Sequence, residues 1–161
     1  MKRFNIPFSP PDMTEAEVKE VAQAILSGWI TTGPRTKELE RQIAAYIGTN
    51  KAVCLNSQTA CAEMALRLLG IGAGDEVIVP AYTYTASASI VAHVGATIVF
   101  VDVQPNSLEM DYDQVEQLIT SRTKAIIPVD LAGIPCDYER LMQIVESKRH
   151  IFQPANDIQQ A

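Results

Sequence analysis

From Lys51 onward the chain alternates short apolar runs with helix-like segments, and no other feature restricts its fold as tightly. Such alternation marks βαβ units and a mainly parallel sheet, because a parallel neighbour is reached only by a crossover long enough to hold a helix. The pattern predicts strands near 51–55, 76–79, 97–101 and 124–129, with helices at 58–69, 84–94, 111–120 and 137–148. Val77-Ile78-Val79 and Ile98-Val99-Phe100-Val101 run uninterrupted, as parallel strands covered on both faces should. The last helix opens at Asp137 and is expected to bury Leu141, Met142, Ile144 and Val145. The expected fold class is therefore α/β, a three-layer sandwich around a mainly parallel sheet.

Ahead of this pattern, Thr14-Glu15-Ala16-Glu17 has the spacing of a capping box, in which hydroxyl and carboxylate satisfy orphan N–H groups reciprocally. Val18, Val21, Ala22, Ile25 and Leu26 then form one apolar stripe before Ser27-Gly28. A second helix, capped by Thr36, is expected to carry Leu39, Ile43 and Ile47 as far as Gly48. Between the two lies a distinctive loop, Trp29-Ile30-Thr31-Thr32-Gly33-Pro34. Three regions are expected: residues 1–50, 51–150, and a polar tail at 151–161. In the tail the next strand is due, yet Pro154 cannot donate to a central ladder. The tail thus reads as an insertion, and the whole as the N-terminal portion of something longer.

With 47% hydrophobic and 20% charged residues, the chain can build a core. A net charge of −6 without a basic run argues against nucleic acid and anionic membrane as partners. The longest apolar runs, such as Ala125 to Val129, fall far short of the roughly 20 residues that span a bilayer. Prolines and Asp12 interrupt any leader-like segment, so a cytoplasmic protein is expected. Cys54, Cys61 and Cys136, with only His93 and His150 beside them, suit neither a disulfide framework nor a metal site.

In open parallel sheets, ligands sit outside the carboxyl ends of the strands. Ser57-Gln58-Thr59 there opens a helix after a predicted strand, where free N–H groups and the macrodipole favour a phosphate; Ser57 could equally be only a cap. Tyr82 and Tyr84 follow the next strand and could cover a flat cofactor or simply pack. Asp102 and Asp130 each end a strand and could be bases, ligands or turn caps. His93 reads as a structural histidine in a largely buried helix. Gly70-Ile71-Gly72-Ala73-Gly74-Asp75 follows a helix and precedes a strand, the reverse of a nucleotide loop, and reads as a C-cap and turn. The residues taken alone reach an α/β domain with a phosphate site, and no reaction.

Several segments together, in order from about residue 5 to 149, resemble the DegT/DnrJ/StrS family of nucleotide-sugar aminotransferases. They are Trp29 to Pro34, Asn56-Ser57-Gln58-Thr59-Ala60, Leu69 to Pro80, Val94-Gly95-Ala96-Thr97 and Thr123 to Val129. The resemblance implies part of the large domain of the aspartate-aminotransferase fold, which is type I among pyridoxal-phosphate enzymes. It also implies a homodimer that moves an amino group, usually from glutamate, to a keto-sugar nucleotide in surface polysaccharide or amino-sugar biosynthesis. Position by position, Ser57, Gln58 and Thr59 match the turn that holds the phosphate of pyridoxal 5'-phosphate, with Gln58 in place of the usual glycine. Tyr84 matches the aromatic stacked on the pyridine ring, and Thr31, Thr32 and Gly33 match a loop lining the substrate site.

Asp130 stands where the family usually has histidine, and is retained as a cofactor-site candidate. The family's Schiff-base lysine and pyridine-facing aspartate lie further along the chain. Asp157 is an unsuitable substitute because Pro154 precedes it, and Lys148 lies on a solvent-facing helix end. No catalytic lysine is therefore expected within these residues, and the 161-residue chain alone is expected to be inactive. Two rivals stand beside the aminotransferase: a keto-sugar dehydratase or lyase of the same fold, and a non-catalytic binding module.

Overall fold

The computed structural model describes residue 7 and residues 9–160, and the chain divides into two compact units between Cys54 and Leu55. The first unit holds α1 (Glu15–Leu26) and α2 (Pro34–Ile47). The capping box at α1 forms as read: Ala16 N–H donates to Thr14 Oγ1 at 3.1 Å and Thr14 N–H to Glu17 at 2.6 Å. The apolar stripe of α1 is not covered, and none of the helix is buried. α2 begins three residues earlier than a cap at Thr36 predicts, because Gly33 takes the cap position and Pro34 the first helical position, where its fixed φ helps and its missing N–H costs nothing.

The second unit runs α3 (Gln58–Leu68), β1 (Glu76–Pro80), α4 (Ala86–His93), β2 (Thr97–Val101), α5 (Tyr112–Leu118), β3 (Thr123–Ile126), α6 (Tyr138–Lys148) and α7 (Asp157–Gln160). Its strands form a parallel sheet in the order β2-β1-β3. The predicted strand at 51–55 does not form. A strand exists only where a neighbour completes its ladder, and the Cys54 N–H instead donates to the Glu40 carboxylate at 3.0 Å.

Alternation along β1 generates the three layers. Val77 and Val79 face Leu66, Ile71, Ile90 and Val91 beneath α3 and α4. Ile78 points the opposite way, into Val101, Met110, Tyr112, Val115, Leu141 and Ile144 beneath α5 and α6. The continuous apolar run of β1 is fully buried, as the pattern required. That of β2 is not, because β2 lies at the sheet edge and leaves Phe100 55% exposed. In α6, Leu141 and Ile144 are buried, whereas Met142 is 62% exposed and Val145 sits at the margin. β3 carries a bulge at Lys124, between the Glu76–Thr123 and Val77–Ala125 pairs. No helix among the described residues is long and apolar enough to cross a membrane.

Candidate active site

The carboxyl edge of the sheet presents three loops of the second unit. α3 leads into the start of β1 through the turn at 69–75, so its N-terminus faces the edge where β1 ends and α4 begins. Ser57, extended at φ −161°, caps α3 by accepting the Ala60 N–H at 3.1 Å, and its carbonyl accepts from Cys61 at 3.1 Å. The N–H groups of Gln58 and Thr59 have no acceptor among the described residues. These are the free donors at the positive end of the helix on which an anion can sit. Ser57 is thus the cap of α3, and the cap leaves these two donors open.

After β1, Tyr84 is anchored through its backbone and free at its ring. Its carbonyl accepts the Ser87 N–H at 3.0 Å, which ties the loop to α4. Tyr82 and Tyr84 remain 58% and 78% exposed, so neither is packed among the described residues. Asp102, after β2, takes the turn-cap reading: its carboxylate accepts the Val103 N–H at 2.8 Å.

Asp130, after β3, receives the Cys136 N–H and the Tyr138 hydroxyl on one oxygen, both at 2.9 Å. These donors, the Cys136 N–H foremost, hold its carboxyl below the usual aspartate value. The same arrangement, with burial as the larger cause, pushes the Cys136 thiol up. Asp130 thus closes the loop 130–138. That loop is also held by Tyr112, buried beneath it, whose oxygen accepts the Asp137 N–H at 2.6 Å. The role of Tyr112 has no sequence signature beyond its place one residue after the helix cap Asp111.

His93 is more exposed than predicted, and its ring pairs with Glu63 across α3 and α4 at 2.9 Å. Lys148 does not face open solvent; it pairs with Glu116 of α5 at 3.5 Å. Asp157 opens α7, a segment bonded to Gly70 and Asp75 at the amino end of β1, away from the loops above. Among the described residues no group of three His, Cys, Asp or Glu side chains is placed to hold a metal.

In the first unit, Thr31, Thr32 and Gly33 form the bend between α1 and α2, with both threonines exposed. The Trp29 indole N–H donates to the Thr32 carbonyl at 3.1 Å and folds the loop on itself. A groove of about 590 Å³ between α1 and α2 contains Glu20, Arg35 and Leu39, but Glu20 and Arg35 neutralise each other there.

Residues 11–152 match the profile of the DegT/DnrJ/EryC1/StrS aminotransferase family. The chain is 38% identical over 142 residues to the spore coat polysaccharide biosynthesis protein SpsC of Bacillus subtilis (strain 168), covering 88% of this chain and 36% of that protein. Among solved structures, Spr1654 of Streptococcus pneumoniae, described as a sugar aminotransferase, is 62% identical with a TM-score of 0.91. The match covers 98% of this chain and 40% of that one, and Spr1654 has been solved in apo, PLP and PMP forms. A GDP-4-keto-6-deoxymannose-3-dehydratase is 27% identical with a TM-score of 0.80, over 88% of this chain and 38% of that one. The chain belongs to the DegT/DnrJ/EryC1/StrS aminotransferase family, and its α/β core is part of the type I fold of pyridoxal-phosphate enzymes. It spans about two fifths of the length of these relatives.

Proposed function

We propose that these residues supply the phosphate end of a pyridoxal 5'-phosphate site in a sugar aminotransferase. The observation that carries the reading is the α3 N-terminus, with a serine cap and two unclaimed N–H donors at the carboxyl edge of a parallel sheet. That donor set suits a dianionic phosphate and leaves room for it, because Ser57 and Gln58 are exposed. Ser57, Gln58 and Thr59 would hold the phosphate, the backbone donors supplying most of the affinity and the Gln58 side chain standing beside it. The uncovered Tyr84 ring offers a face for the cofactor ring. Asp130 keeps one carboxylate oxygen beyond its two internal partners and stands as a polar neighbour at the same edge. Bound pyridoxal phosphate supplies an aldehyde that exchanges for an amino group and a ring that withdraws electrons.

Thr31, Thr32 and Gly33 would contact a keto-sugar nucleotide, with glutamate as amino donor, in a cytoplasmic homodimer that serves polysaccharide or amino-sugar synthesis. Under this reading the lysine that carries the aldehyde is contributed from outside residues 1–161, and these residues alone do not turn over. The likeness to the dehydratase favours a second reading, removal of a sugar hydroxyl by the same cofactor.

The test uses the full-length protein. Glutamate should convert bound cofactor from its aldehyde to its amine form, and a keto-sugar nucleotide should reverse this with transfer of nitrogen. Ser57→Ala should weaken cofactor binding about tenfold, as loss of one phosphate contact and a cap predicts. Release of water without nitrogen transfer selects the dehydratase, and unchanged affinity in Ser57→Ala removes the phosphate site.

A further inference from the structure

We propose that Gln159 and Asn156 are positioning residues for the phosphate-binding end of α3, acting from the opposite end of the helix; the proposal rests on the phosphate reading above. α3 is lightly anchored. Leu66 is its one buried residue, and the segment before Ser57 joins no sheet. Beyond the Glu63–His93 pair and the Arg67 bond to the His93 carbonyl, which tie it to α4, what fixes the helix acts at its C-terminal turn.

There, the Gly70 N–H donates to the Arg67 carbonyl and the Ile71 N–H to the Leu66 carbonyl, both at 3.0 Å, closing the last turn with Gly70 left-handed at φ +67°. The Gly70 carbonyl accepts the Asn156 carboxamide at 2.8 Å and the Gln159 carboxamide at 3.0 Å. The same Gln159 nitrogen donates its other hydrogen to the Asp75 carboxylate at 2.9 Å. Asp75 is 3% exposed and also accepts the Gly72 N–H at 3.1 Å. One carboxamide thus bridges the residue that ends α3 and the residue that precedes β1.

The close approach is specific. A Cβ at Gly70 would lie 2.7 Å from Asn156 Oδ1 and 3.0 Å from Ile158 Cβ. The start of the tail is fixed too: Lys124, the bulged residue of β3, donates to the carbonyls of Ser121, at 2.7 Å, and Gln153, and lies 4.7 Å from the Phe152 ring. The tail is therefore a strap from β3 to the α3–β1 turn. It holds α3 along its axis, and with it the two open N–H groups at the far end.

The experiment compares Gln159→Ala, Asn156→Ala, Gln159→Glu and Ser57→Ala in the full-length protein. Readouts are affinity for pyridoxal phosphate, affinity for pyridoxal lacking the phosphate, and hydrogen exchange at the Gly72 amide. Gln159→Ala should weaken pyridoxal phosphate roughly tenfold, the loss of two ordinary hydrogen bonds, leave pyridoxal unchanged, and speed exchange at Gly72. Asn156→Ala should do the same to a smaller extent. Gln159→Glu sets a second carboxylate against Asp75, so its defect relative to unsubstituted protein should ease as pH falls. Faster exchange with unchanged phosphate affinity would make the strap purely structural and overturn the proposal, as would unchanged exchange. Loss of affinity in Ser57→Ala without loss in Gln159→Ala sinks the strap alone; unchanged affinity in Ser57→Ala sinks the phosphate reading beneath it.

Discussion

Gly33 is glycine because an indole occupies the space of a side chain. Its φ of −167° is extended backbone that any residue adopts, so the constraint is steric: a Cβ would lie 2.1 Å from Trp29 Nε1. Gly33→Ala must displace the ring and break its bond to Thr32, at a cost of about 1–3 kcal/mol. A shift in Trp29 emission should accompany the loss of stability; unchanged emission would place the indole elsewhere. Tyr112 shows the opposite economy, one buried hydroxyl serving two partners. It donates to Glu109 at 3.1 Å and accepts from Asp137 at 2.6 Å. Tyr112→Phe leaves the Asp137 N–H without its acceptor and should cost about 1–3 kcal/mol, read from the denaturant midpoint. Burial, more than the neighbouring carboxylate, pushes its hydroxyl up to about 12 from 10. The stability it confers is complete below pH 10 and is lost as pH rises toward 12.

At the scale of elements, the two faces of β1 divide the labour of the core, and α6 shows which side chains share it. Ile78→Ala opens a cavity among Val101, Tyr112 and Leu141 and should cost about 2–5 kcal/mol, whereas Met142→Ala should stay within about 0.5 kcal/mol. Comparable losses by chemical denaturation would contradict the burial pattern. Most helices were legible because caps and periodicity are local: Thr14, Ser57 and Asp137 each mark a start. What failed depended on neighbours. Residues 51–55 have strand composition, but pairing is a property of two segments, and Glu40, fourteen residues away, claims the Cys54 N–H. Met142 is as apolar as Leu141 but lies about a quarter turn round the helix, beyond the stripe facing the sheet. In the candidate site, Ser57 could be read from its place before a helix, and the resemblance pointed to Tyr84. The internal partners of Asp130 could not be read, because the Cys136 N–H and the Tyr138 hydroxyl reach it only once the loop has closed.

Across the whole molecule, two electrostatic effects meet on acidification, opposed above the isoelectric point near pH 4.9 and aligned below it. The chain carries a net charge of −6 at pH 7, so protonation relieves self-repulsion only down to the isoelectric point near pH 4.9, below which it builds positive charge and destabilises the fold. Beside this stand six carboxylates of the described residues held below their ordinary values by specific donors. Glu17 is held by the Thr14 hydroxyl and N–H, Glu38 by Arg41, and Glu40 by Lys37 and the Cys54 N–H. Glu63 is held by Arg67 and His93, Asp111 by Gln114, and Asp130 by Cys136 and Tyr138. Each binds its proton less tightly folded than unfolded, so its contribution is present above the unfolded values of 4.5 for Glu and 3.8 for Asp. The contribution disappears as pH falls through the folded values, Glu38 reaching about 2. Below pH 4.5 the loss of these contacts and the growing positive charge act in the same direction, and salt screens the diffuse part within about 8–10 Å. The denaturant midpoint should therefore fall continuously below pH 4.5, less steeply in high salt, which screens the exposed ion pairs and the net charge alike. A midpoint that stays level or rises below pH 4.5 would show that the six contacts do not persist in solution. The three in the first unit and the three in the second can be told apart by following hydrogen exchange at the Cys54 and Cys136 amides, which donate to Glu40 and Asp130. The protection of both amides, taken against the intrinsic exchange rate at each pH, should fall as their acceptors take up protons.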